Sequence, residues 1–377
     1  MILSRLASCL ISRKSKKGLL ERLDEGVVIG DGSFVVTLER RGYVLAGTST
    51  PEAAVQHPDA VRQLHREYLR AGADVMQTFS FNSADDKLIV TGVYEEVINC
   101  STINTAACDI ARQVASEGDA LVAGSVSPVQ SFMDSKGKDV VMTEFEKQVN
   151  VFTEKNVDFL LGEFFGYVQE AEWAIEAMKQ VSLPVACSMK IGLMGDMAGI
   201  SPQECAVRMA KAGADVIGIN CLFDPFICLE TMKMMKDALD EAGLVCHLMA
   251  QPVGWHTTEL RDDVRGYQAL PEYPLAMEPR LLTRTDARTF ARAAYNLGIR
   301  YIGGCCGFEP YHIRAIAEEL AAERGKRPPG QDKSANYTLL AKSLAKEQRK
   351  RASRKYWEDL IPATGRTKMK ILTEIKE

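Results

Sequence analysis

A chain of 377 residues with 46% hydrophobic and 25% charged residues can build a sizeable globular core, and no apolar run reaches the roughly 18 residues of a membrane span. Its net charge of −4, from 46 basic and 50 acidic residues, provides no basic face for nucleic acid, so a small-molecule partner is favoured over nucleic acid or membrane. Ten irregularly spaced cysteines, several of them inside apolar strand or helix patterns, argue against a disulfide scaffold and fit a reducing compartment, the cytoplasm.

The opening "MILSRLASCLISRKSKKG", residues 1–18, lacks acidic residues and reads as a leader: a frayed end or a mitochondrial presequence, which makes the mitochondrion the alternative location. Over residues 19–325 one pattern repeats: an amphipathic helix, a glycine at its C-terminal cap, then an apolar β-branched run. The runs fall at Val27–Gly32, in "LHREYLRAGADVMQTF" (Leu64–Phe79), and at Ala120–Val126, Val157–Phe164 and Leu183–Met189. They continue in "AVRMAKAGADVIGINC" (Ala206–Cys221), at Leu244–Pro252 and in "RAAYNLGIRYIGGCC" (Arg292–Cys306). Eight near-continuous apolar strands alternating with helices predict one (β/α)8 TIM-type barrel. A Rossmann-like sheet ranks below it, because no G-x-G-x-x-G opens a helix after the first strand. Beyond Pro328, Pro329 and Gly330 the composition turns basic, and residues 326–377 read as a C-terminal helical arm. That arm is either a solvated basic helix or an extension that packs Leu340, Leu344, Tyr356 and Trp357 on a second copy in a homo-oligomer.

Ligands and catalysts of such a barrel project from the C-terminal strand ends. Here those ends read Asp31-Gly32-Ser33 for the first strand, Glu163-Phe164 for the fourth, Asn220-Cys221 for the sixth and Gly303-Gly304-Cys305-Cys306 for the eighth. Cys221, Cys305 and Cys306 can converge near the axis, and three thiolates leave one position of a tetrahedral Zn²⁺ open to substrate. A disulfide between neighbours needs a strained ring, which places a vicinal redox pair second. The bare glycines before Cys305 are expected to admit a ligand sulfur close to the backbone. The other cysteines read as buried strand or helix residues.

The segments "IGDGSF", "QTFSF", "VDFLLGEFF", "GINCLFDP" and "YNLGIRYIGGCCGFEPYHIRAIAEEL" are similar to the betaine–homocysteine S-methyltransferase family, within the wider zinc-dependent homocysteine methyltransferases. The resemblance runs from about Lys16 through the barrel and weakly into the tail at "RKYWEDL" and "ATGR". It implies that Cys221, Cys305 and Cys306 hold one Zn²⁺, and that homocysteine takes the fourth position through its sulfur. It further implies that Asp31 and Glu163 bind the amino-acid end of homocysteine, with the backbone amides of Gly32 and Ser33 receiving its carboxylate. The methyl donor would be an onium compound, betaine or a sulfonium such as S-methylmethionine. From another class stands a zinc- and thiol-binding protein with weak turnover.

Three positions depart from the family pattern: Ser49 replaces the usual Trp, Asn82 the Tyr of the betaine enzymes, and Phe164 the Tyr after the strand-four Glu. A quaternary ammonium held against aromatic faces gains roughly 0.5–2 kcal/mol per ring, so a betaine cage of the usual kind is weakened. Phe79, Phe81, Phe164, Phe165 and Trp255 are the candidates for a different cage. His256, beside Trp255, reads as a pocket-lining residue or a loop residue with a solvated edge.

Overall fold

The computed structural model describes residues 16–45 and 50–331 together with Ala345, Lys355 and Tyr356. Most of the segment read as a leader, and the arm residues Leu340, Leu344 and Trp357, lie outside them.

Eight parallel strands form one sheet: β1 (Val28–Ile29), β2 (Val75–Gln77), β3 (Leu121–Val126), β4 (Phe159–Phe165), β5 (Val185–Met189), β6 (Val216–Asn220), β7 (His247–Gln251) and β8 (Tyr301–Ile302). The order β1-β8-β7-β6-β5-β4-β3-β2 follows the chain around a nearly closed ring, as expected for a (β/α)8 barrel. Gly72 and Gly298 end their helices in left-handed conformation and turn the chain into the next strand, as the repeated pattern implies.

Side chains alternate across each strand, so the registers sort the residues into two layers. Met76, Val122, Leu160, Ile217 and Leu248 face outward into the layer under the helices. Val28, Val75, Leu121, Phe159, Leu161, Ala186, Val216, Met249 and Tyr301 face inward, and Leu19 and Leu23 of the helix Leu19–Glu25 plug the lower end. The next inward position toward the C-terminal ends is polar on six strands: Gln77, Ser125, Glu163, Ser188, Asn220 and Gln251. The barrel is therefore oily at the bottom and polar at the mouth.

Carboxylates complete the junction between β1 and β2. Asp74 donates its backbone N–H to the Ile29 carbonyl (2.7 Å), while its side chain accepts the Ile29 N–H (2.9 Å). Arg324 holds both Asp74 oxygens at 3.0 Å, in a pair that is 2% and 5% exposed. Pro328, in the stretch read as a linker, is buried, and its Cβ lies against Gly72.

Removing one partner of a buried ion pair strands the other charge, at a cost of about 3–5 kcal/mol. Asp74→Ala is expected to lower the free energy of unfolding by about 3 kcal/mol in denaturant titration. Arg324→Ala should cost less, because Lys326 still pairs with Asp74, and the double variant should fall well short of the sum. Losses below ~1 kcal/mol would show that this pair does not hold the barrel seam.

Candidate functional site: three sulfurs facing two buried acids

At the C-terminal mouth lies a cavity of about 290 Å³, reached by Asp31, Gly32 and Ser33 after β1, by Glu163 and Phe164 of β4, and by all three predicted cysteines. Cys221 follows β6 and Cys305-Cys306 follow β8, and the end of β7 ties the two turns together. The Cys221 N–H donates to the Gln251 carbonyl (2.9 Å), the Cys305 N–H to Pro252 (2.8 Å), and the Gly254 N–H to the Cys306 carbonyl (2.8 Å). One strand end thus sets the spacing of both sulfur-bearing turns.

The three Sγ atoms lie within 4.8 Å of one another, and Cys221 and Cys306 are 3.8 Å apart. Metal–sulfur bonds of about 2.3 Å in a tetrahedron put neighbouring sulfurs roughly 3.8 Å apart, so the cluster has the dimensions of a three-thiolate metal site. All three cysteines are free thiols. Within the trio, hydrogen bonds from Cys221 and Cys305, with a further one from Tyr267, hold the Cys306 thiol well below its usual range. Cys221 is pushed up, chiefly by burial, and Cys305 is pushed up chiefly by its hydrogen bond to Cys221. The geometry already favours one thiolate, in a buried setting that suits a cation bringing charge compensation.

The same cavity holds the two predicted acids, joined by Gln77. Its backbone N–H donates to Asp31 Oδ2 (2.9 Å) and its amide Nε2 to Glu163 Oε1 (2.7 Å). Ser125 also donates to Glu163. Burial pushes the Glu163 carboxyl up to about 7 against those hydrogen bonds, and burial together with the nearby Glu163 charge raises Asp31 well above the carboxylate range. Two dehydrated acids placed side by side form a receptor for a cationic group.

The turn after β1 corrects one expectation. The Ser33 N–H already donates to the Phe308 carbonyl (2.9 Å), which needs a donor where the chain leaves β8, so this amide does not face a ligand. Ser33 Oγ is buried with no partner and is the donor left over. A Cβ on Gly32 would lie 2.4 Å from the Phe308 carbonyl oxygen and one on Gly304 2.1 Å from Phe308 Cγ, so both glycines make room for the Phe308 turn while they also line the cavity.

On the presumed donor side, Asn82, Phe79, Phe81, Phe164 and Trp255 line the cavity, whereas Ser49 lies outside the described residues. Phe81 meets Phe164 edge to face at 5.0 Å. Phe165 does not join them: the register shift of β4 between Gly162 and Phe165 and the left-handed backbone of Phe164 (φ +66°) break the alternation, so Phe164 follows Glu163 into the cavity and Phe165 faces the layer under the helices, against Phe145. His256 neither lines the cavity nor reaches solvent. It is buried with its ring nitrogen 3.5 Å from Asp286, and its backbone N–H donates to the Arg280 carbonyl (2.8 Å).

Sequence reasoning missed the segment 266–281, whose Tyr267, Tyr273 and Met277 wall the cavity beside the sulfurs. Trp255 and Tyr267 rings are 4.9 Å apart, and Tyr267 and Tyr273 5.5 Å. Arg280, fully buried and paired with Glu259 and Glu272, anchors this wall. No motif marks it; the only signal is its aromatic content between β7 and β8. Gln77, Ser125 and Gln251 were also missed, although each is a lone polar residue at the end of an apolar strand.

Comparison with known proteins agrees with this geometry. The family model described as homocysteine S-methyltransferase matches residues 28–320. Betaine–homocysteine S-methyltransferase 1 of Xenopus tropicalis is 57% identical over 355 residues, covering 93% of this chain and 88% of that protein. S-methylmethionine–homocysteine S-methyltransferase of Mus musculus is 52% identical over 357 residues, covering 94% and 96%. Among solved structures, the metallated homocysteine methyltransferase MmuM of Escherichia coli superposes with a TM-score of 0.60 at 19% identity, over 78% of this chain and 96% of that one, which is a likeness of fold. The chain belongs to the homocysteine S-methyltransferase family.

Proposed function

We propose that the protein transfers a methyl group from a small onium donor to the sulfur of homocysteine, giving methionine, with one Zn²⁺ held by Cys221, Cys305 and Cys306. The observation that carries this reading is the presence, in one cavity, of three sulfurs at metal-site spacing and two buried acids with no cation paired to them among the described residues. The curated relatives named above act on homocysteine by name, and two different donors appear in those names.

When bound, Zn²⁺ supplies a thiolate at neutral pH from a thiol whose own pKa is near ~8.5, and a three-cysteine site leaves room for that sulfur. The chain's residues do the rest. Asp31 and Glu163 receive the homocysteine ammonium, whose charge stabilises both carboxylates. The Ser33 hydroxyl and the Gly32 turn face its carboxylate. The amino-acid end is thereby fixed on the β1–β4 side, with the sulfur directed toward the cysteines. Aromatic walls from Phe81, Phe164, Trp255 and Tyr267 exclude water around the donor. The new carbon–sulfur bond forms as the methyl leaves the onium centre, which keeps the bonding pair and departs neutral. Opposite charges are cancelled as the transition state forms, so a dry, aligned site favours it over hydrated reactants.

Cys305→Ala is expected to abolish both stoichiometric zinc, read by metal analysis, and methionine formation. Full zinc occupancy in that variant would remove Cys305 from the ligand set. Glu163→Gln should raise the KM for homocysteine about tenfold, the loss expected for one charge-assisted hydrogen bond, while metal content stays at the wild-type level. A fall in metal content would make Glu163 part of the metal site instead. Methionine from homocysteine with betaine, S-methylmethionine or dimethylsulfoniopropionate tests the reaction itself, and none from any of the three would overturn it.

A further inference from the structure

Lys190 directly follows β5, at the same end of the barrel as the cavity. Its ammonium lies 4.3 Å from the centroid of the Phe164 ring. The stem crosses Gly166, where a Cβ would come 2.9 Å from Lys190 Cε, so the glycine leaves the path open. Phe164 sits at φ +66° with its N–H bonded to Asn220 Oδ1 (2.9 Å), and β4 shifts register between Gly162 and Phe165. That backbone turns the ring so that Phe164 lines the cavity and Lys190 does not. Phe164 is part of the cavity lining, and the Lys190 ammonium lies over its ring without belonging to that lining. The charges that act on Lys190 are Cys221 and Glu170, with Lys87 opposing, and burial lowers its pKa.

An aromatic ring has one quadrupole shared by its two faces. Once a cation occupies one face, a second on the other is attracted less and is repelled across roughly 8–9 Å of low-dielectric interior. We propose that Lys190 governs the choice of methyl donor by occupying the outer face of Phe164, which takes this ring out of the onium cage and moves the cationic end of the donor toward Trp255, Tyr267 and Tyr273. This rests on the methyl-transfer reading above, and it makes Lys190 a positioning residue that acts through Phe164 rather than by touching the donor. It accords with Asn82, another cavity residue where the betaine enzymes carry a ring. The penalty falls on positive charge, so a quaternary ammonium suffers it and an uncharged ligand of the same shape does not.

The test exploits that difference. Zinc-loaded protein saturated with L-homoserine, the unreactive oxygen analogue of homocysteine, is titrated by calorimetry with betaine and with 3,3-dimethylbutanoate, which keeps the carboxylate and replaces the quaternary ammonium with a neutral quaternary carbon. Lys190→Met is expected to tighten betaine about tenfold relative to the isostere, the scale of one removed charge at this separation. Lys190→Arg, which keeps the charge, should leave the ratio at the wild-type value, and Lys190→Gln provides a second neutral variant should Lys190→Met fold poorly. Equal shifts for both ligands, or no shift, would overturn the proposal, because loss of packing alone moves both together. A changed ratio with no methionine formed from any donor would support Lys190's role while overturning methyl transfer. Methionine formation with an unmoved ratio would do the reverse.

Discussion

The interior of an eight-stranded barrel has to be filled, and the last inward layer of this one is filled with polar groups that have no water to turn to. Gln77, Ser125, Glu163, Ser188, Asn220 and Gln251 occupy it above a floor of Val, Leu, Phe and Met. Buried polar groups persist only when bonded, and here they bond to one another. Gln77 and Ser125 serve Glu163, the Ser188 hydroxyl donates to Asn220 (2.9 Å), and Asn220 accepts from the Phe164 backbone. The network leaves Gln251 Oε1 without a partner and does not cancel charge: Asp31 and Glu163 share it with no cation paired to either among the described residues. An ammonium brought by a ligand relieves that imbalance, so affinity for an amino acid follows from how the barrel closes its core.

The sulfur side depends on backbone held in an unfavourable region. Cys221 and Leu222 have φ of +62° and +53°, Phe164 +66° and Asn82 +62°, a conformation that side-chain-bearing residues rarely adopt. Strain of this kind costs on the order of 1–3 kcal/mol per residue and survives where surroundings impose it. The surroundings are identifiable: the Tyr267 N–H bonds the Leu222 carbonyl (2.8 Å), the Phe223 N–H bonds Cys221 (2.7 Å), and β7 grips both cysteine turns. The same segment that supplies Tyr267 and Tyr273 as cavity wall therefore also holds the first cysteine in place. Donor pocket and sulfur cluster are one mechanical unit, fastened through Arg280.

The barrel was legible because each strand announces itself by an apolar run, and several also by a glycine after the preceding helix, as at Gly72, Gly213 and Gly298. The sulfurs and the acids were legible because strand-end positions of a barrel carry its chemistry and few residues compete for those places. What escaped was whatever depends on phase or on another element. Phe164 and Phe165 are indistinguishable by composition, and what separates the cavity ring from the core ring is an irregularity in β4 that reverses the alternation counted from Glu163. The Ser33 amide looked available until the Phe308 carbonyl, 275 residues further on, claimed it. His256 sits between a buried Trp and a buried Asp286 partner that no local pattern predicts. The wall at 266–281 lacks regular strand or long helix, so periodicity has nothing to register there.

The donor side carries the remaining consequence of this division. Reading the motif positions alone suggested a cage depleted of rings, yet the cavity is not poor in aromatic surface; it is supplied from the other wall. Phe34, Phe79, Phe81 and Phe164 line the side reached by the first four strands, while Trp255, Tyr267 and Tyr273 line the side next to the sulfurs. With a lysine ammonium behind Phe164, the attractive faces for a cation lie on the second side, in contact through Tyr267 with Cys306. On the proposed role of Lys190 the onium centre sits against that wall, beside the Tyr267 that bonds Cys306, and Asp31 and Glu163 are left to the amino-acid substrate. The two positively charged ends that must share this cavity are then held on opposite walls, and their mutual repulsion, strongest in a dry site, is reduced by the placement of the rings.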